Sequence, residues 1–227
     1  MQLRKFVGHT DGILISKPGS QDWSALAGED IVALAHDSQN PSLILAGSYG
    51  RGLFKSSDSG ANWSHVELDV EYIRTIAFSS CEPGTVYLGI EPAELFRSRD
   101  SGETWECLHI RRLPEAADWS LPYSPRSGAL RTIALHPTNP LIIYGGVEQG
   151  GVIKSTDGGK NWDLASNGLK LPMDDMVESF VIDLHEPDTI FALCSEGGLL
   201  RSNIQDVRWE SVSCEVSVQC LEFVEQT

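Results

Sequence analysis

Long apolar runs and CxxC pairs are both missing from this sequence of 227 residues. No apolar run approaches the roughly 18 residues that a membrane-spanning helix needs, so no transmembrane helix is expected. Residues 1–15 contain neither a long apolar core nor a small-residue cleavage site, so we expect no secretory signal. The five cysteines are an odd number without a CxxC pair. This favours reduced thiols in the cytoplasm over a disulfide framework or a zinc knuckle.

Basic residues are also scarce, because 17 lysines and arginines stand against 32 aspartates and glutamates, for a net charge of -15. A surface of this charge is repelled by nucleic-acid phosphates and by anionic lipids. We therefore expect neither nucleic acid nor a membrane among the partners. The sequence contains no H-E-x-x-H and no close cluster of histidine and aspartate, so no metal and no cofactor is expected.

The feature that is present is a repeat. Three segments follow the pattern S-x-D-x-G-x-x-W, which we call the SxDxGxxW box: residues 56–63, 98–105 and 155–162. Residues 16–23 and 202–209 are degenerate copies that keep the spacing between serine and tryptophan. Five of the six tryptophans of the chain occupy this one position, which a chance arrangement does not produce.

Each repeat also contains a proline and four short apolar stretches. In four copies the proline lies 15 residues before the box serine and follows Asn or Glu, as expected in a turn: Pro41, Pro83, Pro140 and Pro187. Four β-branched or aromatic stretches recur in a unit: one on each side of the proline, one before the box serine and one after the tryptophan. This pattern predicts four strands in each unit. The box serines are 40, 42, 57 and 47 residues apart. The pattern predicts an all-β protein, a β-propeller with four-stranded blades.

The two ends of the chain together predict one further blade. Residues 218–223 have the pattern of a first strand with no second strand after it, and residues 3–8 that of a second strand with no first strand before it. The path from Ser202 through the C-terminus to Ser16 covers 41 residues, one blade length. We therefore predict five blades, closed by pairing of the terminal strands. The alternative is a larger propeller whose remaining blades come from another chain.

We predict one propeller domain over residues 1–227. The blades are expected at about residues 218–227 with 1–28, 29–69, 70–113, 128–169 and 176–214. A loop inserted at about residues 109–129 accounts for the longest spacing. A long loop in a compact repeat fold is more often functional than idle.

The SxDxGxxW segment resembles the Asp-box, or BNR repeat. Over nearly its whole length the chain is similar to BNR/Asp-box propellers, which include bacterial sialidases, sortilin-type receptors and photosystem II assembly factors. Residues 89–98, 119–126 and 146–152 resemble a group of bacterial BNR-repeat proteins that are often labelled sialidase-like or glycosyl-hydrolase-like on fold alone. The resemblance implies a fold and not an activity.

Within the box, each residue type has an expected structural role. The aspartate accepts backbone N–H bonds in the turn between the third and fourth strands, the glycine adopts a positive φ, and the tryptophan packs between sheets. A catalytic or metal-binding role fits the aspartates poorly, because they recur on separate blades. We assign the twelve residues of the complete boxes to structure: Ser56, Asp58, Gly60, Trp63, Ser98, Asp100, Gly102, Trp105, Ser155, Asp157, Gly159 and Trp162.

The opposite face receives the loops between second and third strands and the links between blades, which is where ligand sites usually lie. The candidate residues on this face are acidic, basic or aromatic: Glu91, Glu94, Glu148, Arg74, Arg131, Trp119, Tyr123 and Arg126. An aromatic platform with carboxylate acceptors and guanidinium donors suits a carbohydrate or a small polar ligand. The alternative is that Arg74 and Arg131 pair with Glu91 and Glu148 and only neutralise charge beside the channel.

Two classes of function follow from this face. The first is a non-catalytic propeller that binds a ligand or a partner protein, as photosystem assembly factors of this repeat type do. Those factors are exported and carry an arginine patch where this face is acidic. The second is a glycoside hydrolase-like enzyme with paired carboxylates among Glu91, Glu94 and Glu148. We favour the first, because no complete catalytic set can be assigned. A sialidase would need an Arg-Ile-Pro segment, which is absent.

Overall fold

The computed structural model describes residues 5–16, 23–121, 123, 128–169, 176–195, 198–205 and 208–212, which form five antiparallel sheets. The first sheet contains β1 (Lys5–His9), β2 (Gly12–Ser16) and β3 (Trp23–Ala25). The predicted pairing of residues 218–223 with residues 3–8 involves a segment outside the described ranges.

The other four sheets have four strands each, in sequence order. The second contains β4 (Ile31–His36), β5 (Ile44–Ser48), β6 (Gly52–Ser56) and β7 (Ser64–His65). The third contains β8 (Tyr72–Phe78), β9 (Val86–Glu91), β10 (Glu94–Ser98) and β11 (Glu106–Cys107). The fourth contains β12 (Leu130–Leu135), β13 (Ile143–Val147), β14 (Gly151–Ser155) and β15 (Asp163–Leu164). The fifth contains β16 (Val177–Ile182), β17 (Thr189–Cys194), β18 (Leu199–Asn203) and β19 (Glu210–Val212).

The sheets are the five blades of a β-propeller, as the sequence predicts. The successive first strands β4, β8, β12 and β16 lie next to one another. Four apolar clusters fill the spaces between adjacent blades, and each contains the box tryptophan of the later blade: Trp63, Trp105, Trp162 and Trp209. The repeated tryptophan therefore acts as an apolar wedge between sheets.

A glycine in the second strand allows the next blade to approach closely. A Cβ atom on Gly89 would lie 2.7 Å from the carbonyl oxygen of Leu130, the first residue of β12. A Cβ atom on Gly8 of β1 would likewise lie 2.9 Å from the carbonyl oxygen of Ile31, the first residue of β4. This correspondence gives β1 the position of a second strand in blade 1, as predicted for residues 3–8.

Each complete box closes its turn with the same hydrogen bonds. The Oγ of Ser98 accepts from the N–H of Gly102 at 2.8 Å and donates to Oδ1 of Asp100 at 2.7 Å. Oδ1 of Asp100 in turn accepts from the N–H of Thr104 at 2.9 Å. Gly102 has a φ of 83°, a left-handed conformation that glycine adopts without strain. The boxes that begin at Ser56 and Ser155 repeat these contacts.

The proline turns and the boxes lie on one face of the propeller. In every four-stranded blade, the residue after the proline accepts a backbone hydrogen bond from the box: Ser59 to Ser42, Ser101 to Gly84, Gly158 to Leu141, and Ile204 to Asp188. The loops between second and third strands are therefore on the opposite face, because the strands alternate in direction.

A basic residue directly before the box serine links three blades to the next. Its side chain donates to a carbonyl oxygen in the neighbouring box: Lys55 to Ser101, Arg97 to Gly158, and Lys154 to Ile204. Arg97 is only 7% exposed, so this contact is made inside the interface between blades.

Two local features differ from the sequence prediction. The inserted loop contains two 3₁₀ helices, Ile110–Arg112 and Pro114–Ala117, which the absence of a helical pattern did not indicate. The strand β16 ends at Ile182, whereas the apolar stretch that predicts this strand runs over residues 181–184. The two 3₁₀ helices are single turns, so no helix in the described ranges is long enough to cross a bilayer.

Candidate functional site

A β-bulge occurs at the same place in each four-stranded blade, between its first and second strands. In blade 3 the pairing shifts between Ile73 and Thr75, which leaves Arg74 as the extra residue. The same shift leaves Arg131 as the extra residue in blade 4. The equivalent residues of blades 2 and 5 are Val32 and Glu178. A bulge redirects a side chain. Blades 3 and 4 use it to place an arginine where the first strands begin, at the end of the channel opposite the boxes.

We call this end the mouth, and define the mouth cluster as Tyr49, Arg74, Glu91, Tyr123, Arg131 and Glu148. The closest contact in it joins Nε of Arg131 to Oε2 of Glu148, at 2.6 Å. The side chain of Glu148 is 4% exposed and that of Arg131 is 31% exposed. The backbone N–H of Glu148 donates to the carbonyl of Ala129 at 2.8 Å, which fixes the second strand of the blade beside the bulge.

A second, looser pair lies in blade 3. Nη1 of Arg74 is 3.5 Å from Oε2 of Glu91, and both side chains are about nine-tenths buried. The hydroxyl of Tyr123 donates to the same carboxylate oxygen at 3.0 Å. The guanidinium of Arg74 also lies over the ring of Tyr49, 4.9 Å from its centre. Cation–π contact of this kind stabilises a guanidinium that is buried away from water.

Burial changes the pKa values of Glu91 and Tyr123. It raises the pKa of Glu91, and the nearby charge of Glu148 adds to the increase, while the hydrogen bond from Tyr123 opposes it. The pKa of Tyr123 is raised by burial of its hydroxyl and by its contacts with Tyr49 and Glu91. Tyr123 as a residue is nevertheless 58% exposed, although its hydroxyl donates to the buried carboxylate of Glu91.

The structure separates Trp119 from the rest of the predicted platform. Trp119 is 2% exposed and belongs to the apolar cluster between blades 3 and 4. A Cβ atom on Gly150 would lie 2.8 Å from its indole ring, so the ring fills the space above the turn between β13 and β14. The expectation of an exposed aromatic platform at Trp119 is corrected, because the ring is needed to anchor the inserted loop.

Glu94 is also directed away from Glu91 and Glu148. Its Oε1 accepts from the backbone N–H groups of Leu95, at 3.0 Å, and Ile110, at 2.8 Å. These bonds tie the start of β10 to the first 3₁₀ helix. Glu94 therefore makes its contacts at the start of the inserted loop. Arg126 lies outside the described residues.

The sequence pattern did not point to Tyr49 or Tyr72. Their rings meet at a centroid distance of 5.0 Å, and an isolated bridge joins the two residues between blades 2 and 3. Tyr49 directly follows β5, as Glu91 ends β9 and Glu148 follows β13. Alignment of the repeats at the end of the second strand would have found it.

A cleft of about 440 Å³ lies on the same face, and none of the mouth-cluster residues lines it. It is lined by the turn between β5 and β6 and by the link that follows β7, including Arg51, His65, Asp69 and Glu71. Clefts that bind small molecules are usually of about 300–1,000 Å³. The face that holds the mouth cluster therefore also has room for a ligand.

The fold and this face define the class of protein, a β-propeller whose mouth carries two arginine–glutamate pairs on adjacent blades. No protein-family model and no curated protein matches the sequence. Among solved structures, the chain is similar to a GH74 xyloglucanase from Xanthomonas campestris, with 18% identity and a TM-score of 0.70 over 94% of this chain. It is also similar to a GH74 enzyme from Niastella koreensis, with 16% identity and a TM-score of 0.67 over 90% of this chain.

A third similar structure is YCF48 from Cyanidioschyzon merolae, with 16% identity and a TM-score of 0.55 over 82% of this chain. The chain spans 36% and 34% of the two GH74 enzymes and 57% of YCF48. At these identities the likeness establishes the propeller fold and leaves function to the site.

Proposed function

We propose that this chain is a non-catalytic BNR/Asp-box β-propeller that binds a ligand or a partner protein through the mouth cluster. The observation that carries the proposal is the pairing of both carboxylates with arginines, at 2.6 Å for Glu148 and 3.5 Å for Glu91. A carboxylate held in an ion pair is poorly placed to exchange a proton with a substrate. The three boxes with matching hydrogen bonds support the assignment to BNR/Asp-box propellers.

The charges of the mouth cluster favour a neutral, hydroxyl-bearing ligand. Each arginine is balanced by one glutamate, so the cluster attracts neither anions nor cations strongly. A ligand can reach the partly exposed side chain of Arg131 and the exposed Tyr123. Sugars offer both hydroxyl donors and apolar ring faces to such a surface. A carbohydrate is therefore the first class of ligand to test, and a peptide segment of a partner protein is the second.

The test is a glycan array, followed by titration calorimetry with the oligosaccharides that bind. The informative variant is Arg131→Gln with Glu148→Gln, because removing both charges leaves neither one buried alone. We expect it to lower affinity at least tenfold. The matched control is Arg201→Gln with Glu186→Gln, which removes an exposed pair 3.8 Å apart in blade 5. Equal binding by both double variants would contradict the assignment of the mouth. Absence of any bound glycan would eliminate a carbohydrate ligand.

One observation favours the second candidate, a glycoside hydrolase-like enzyme. The raised pKa of Glu91 is what a general acid requires, and Glu148 lies near enough to influence it. One similar structure is a xyloglucanase. Xyloglucan is therefore a defined substrate with which to test hydrolysis, read as release of reducing ends. Binding without cleavage is the result that our proposal predicts. Cleavage that disappears in Glu91→Gln would replace the binding proposal with the enzymatic one.

The environment of the protein belongs to the same proposal. The sequence favours a cytoplasmic location, and the net charge of -15 disfavours nucleic acid and anionic membrane surfaces as partners.

A further inference from the structure

Three side chains with metal-binding atoms meet where the inserted loop begins. Glu94 is the first residue of β10, Cys107 the last of β11, and His109 directly precedes the first 3₁₀ helix. One donor atom from each lies within 4.8 Å of the others. Sγ of Cys107 and Nδ1 of His109 are 3.3 Å apart. The spacing of these three residues matches no established metal-binding motif, so the sequence analysis did not indicate this group.

The separation of Sγ of Cys107 and Nδ1 of His109 fits a tetrahedral zinc ion. With Zn–S of about 2.3 Å and Zn–N of about 2.0 Å, sulfur and nitrogen ligands lie about 3.5 Å apart. The backbone N–H groups of Leu95 and Ile110 hold Oε1 of Glu94 in place. A carboxylate has about four lone-pair sites, so these two bonds leave capacity for a metal. His109 is exposed, so solvent can reach this group and supply a water molecule as a fourth ligand.

We propose that Glu94, Cys107 and His109 form a zinc site with three protein ligands and one water. Thiolate, imidazole and carboxylate together are a ligand set that zinc commonly takes. Two negative ligands balance the charge of Zn²⁺. Binding breaks the S–H bond of Cys107 and forms an S–Zn bond, and the proton passes to solvent.

The site connects three parts of blade 3. The strand β11 is only two residues long, so few backbone contacts of this strand hold the start of the inserted loop. With the metal, the third strand, the fourth strand and the loop share one ion. The loop continues to Trp119 and Tyr123, so zinc stabilises the segment that reaches the mouth cluster. The site uses no residue of the mouth cluster, and its test is independent of the proposed function.

The experiment uses the full chain after removal of metals with a chelator. Titration calorimetry with Zn²⁺ gives stoichiometry and affinity, and Co²⁺ substitution gives an absorption band for thiolate–metal bonding. We expect one ion per chain and a higher thermal midpoint with Zn²⁺. Cys107→Ser and His109→Asn should each lower affinity at least tenfold, and Cys107→Ser should remove the thiolate band. Asn suits position 109, where φ is 53°.

Cys81→Ser is the matched control, because Cys81 is another partly exposed thiol that forms no disulfide. We expect it to keep the affinity and the cobalt spectrum of the parent chain. The proposal is overturned if the parent chain binds no Zn²⁺ at micromolar concentration. It is equally overturned if Cys107→Ser and Cys81→Ser bind the ion with the same affinity.

Discussion

At the scale of single residues, the box aspartates show how hydrogen bonds fix an ionisation state. The side-chain amide and the backbone N–H of Asn62 lower the pKa of Asp58 to about 2. The backbone N–H and the side chain of Asn161 lower the pKa of Asp157 to about 2 as well. Donors that fill the lone pairs of a carboxylate favour its charged form. These groups are therefore ionised acceptors in a turn at all physiological pH values.

The lowered pKa predicts a pH-dependent stability. Because the pKa of Asp157 is about 2 in the folded chain and about 3.8 without these contacts, its stabilisation is complete above pH 4 and is lost as pH falls towards 2. Asp157→Asn keeps an acceptor oxygen but removes the charge. We expect the variant to be less stable than the parent chain at pH 6, with a difference that shrinks by pH 3. Urea unfolding at several pH values measures this.

The control for this prediction is Asp69→Asn, at an exposed aspartate in the link after β7. Its difference from the parent chain should stay small across the same range. A stability difference for Asp157→Asn that does not change with pH would contradict the role of the ionised carboxylate.

Single residues were only partly predictable at the site. The sequence predicts Arg74 and Arg131 on one face, and in the structure each is the extra residue of a bulge near the start of a first strand. Whether they would face a ligand or pair with Glu91 and Glu148 was left open, and the structure has them paired. The burial of Trp119 could not be read from the sequence, because it depends on the space above Gly150 in the next blade.

At the scale of strands and loops, the position of glycine in the second strand determines how closely two blades approach. Gly89 pairs with Thr75 within its own sheet and faces the first residue of β12 in the next. A close backbone contact of this kind cannot be relieved by rotating a side chain. The glycine is required by packing, since its φ is not in the left-handed region.

Gly89→Ala is therefore expected to destabilise the protein by about 1–3 kcal/mol, because its Cβ would lie 2.7 Å from the carbonyl oxygen of Leu130. Gly198→Ala is the matched control, because no atom lies within 4 Å of the added carbon. It should change stability by less than about 0.5 kcal/mol. Chemical denaturation of both variants measures these changes in the free energy of unfolding. Equal effects of the two substitutions would show that this contact between blades is not tight.

Regular elements were more predictable than the irregular ones. The proline and box spacing located the strands to within a few residues, because turns and β-branched stretches are local signals. The bulges at Arg74 and Arg131 depend on how two strands pair, and a sequence pattern does not show a shift of one residue. The two 3₁₀ helices of the inserted loop are each a single turn and leave no helical periodicity.

At the scale of the whole molecule, the repeat divides positions into two kinds. Complete boxes recur in blades 2 to 4, and second-strand glycines recur in blades 1 to 4, because these neighbouring blades share the same packing. The bulge positions differ, with valine, arginine, arginine and glutamate in successive blades. A position that the fold leaves free to vary can carry a site, and blades 3 and 4 use it for the arginines of the mouth cluster.

The central claim is that five blades surround one channel and that the first strand of blade 1 pairs with β1. The most direct test is amide hydrogen exchange along β1 (Lys5–His9) in the full chain. A strand paired on one side leaves alternate N–H groups unpaired, whereas a strand paired on both sides protects consecutive ones. Within the same molecule, β5 is a standard for pairing on both sides, and β7 is a standard for an edge.

The account predicts slow exchange at consecutive amides of β1, at rates like those of β5. Exchange at alternate amides of β1 as fast as in β7 would contradict it, and would leave blade 1 with an open edge.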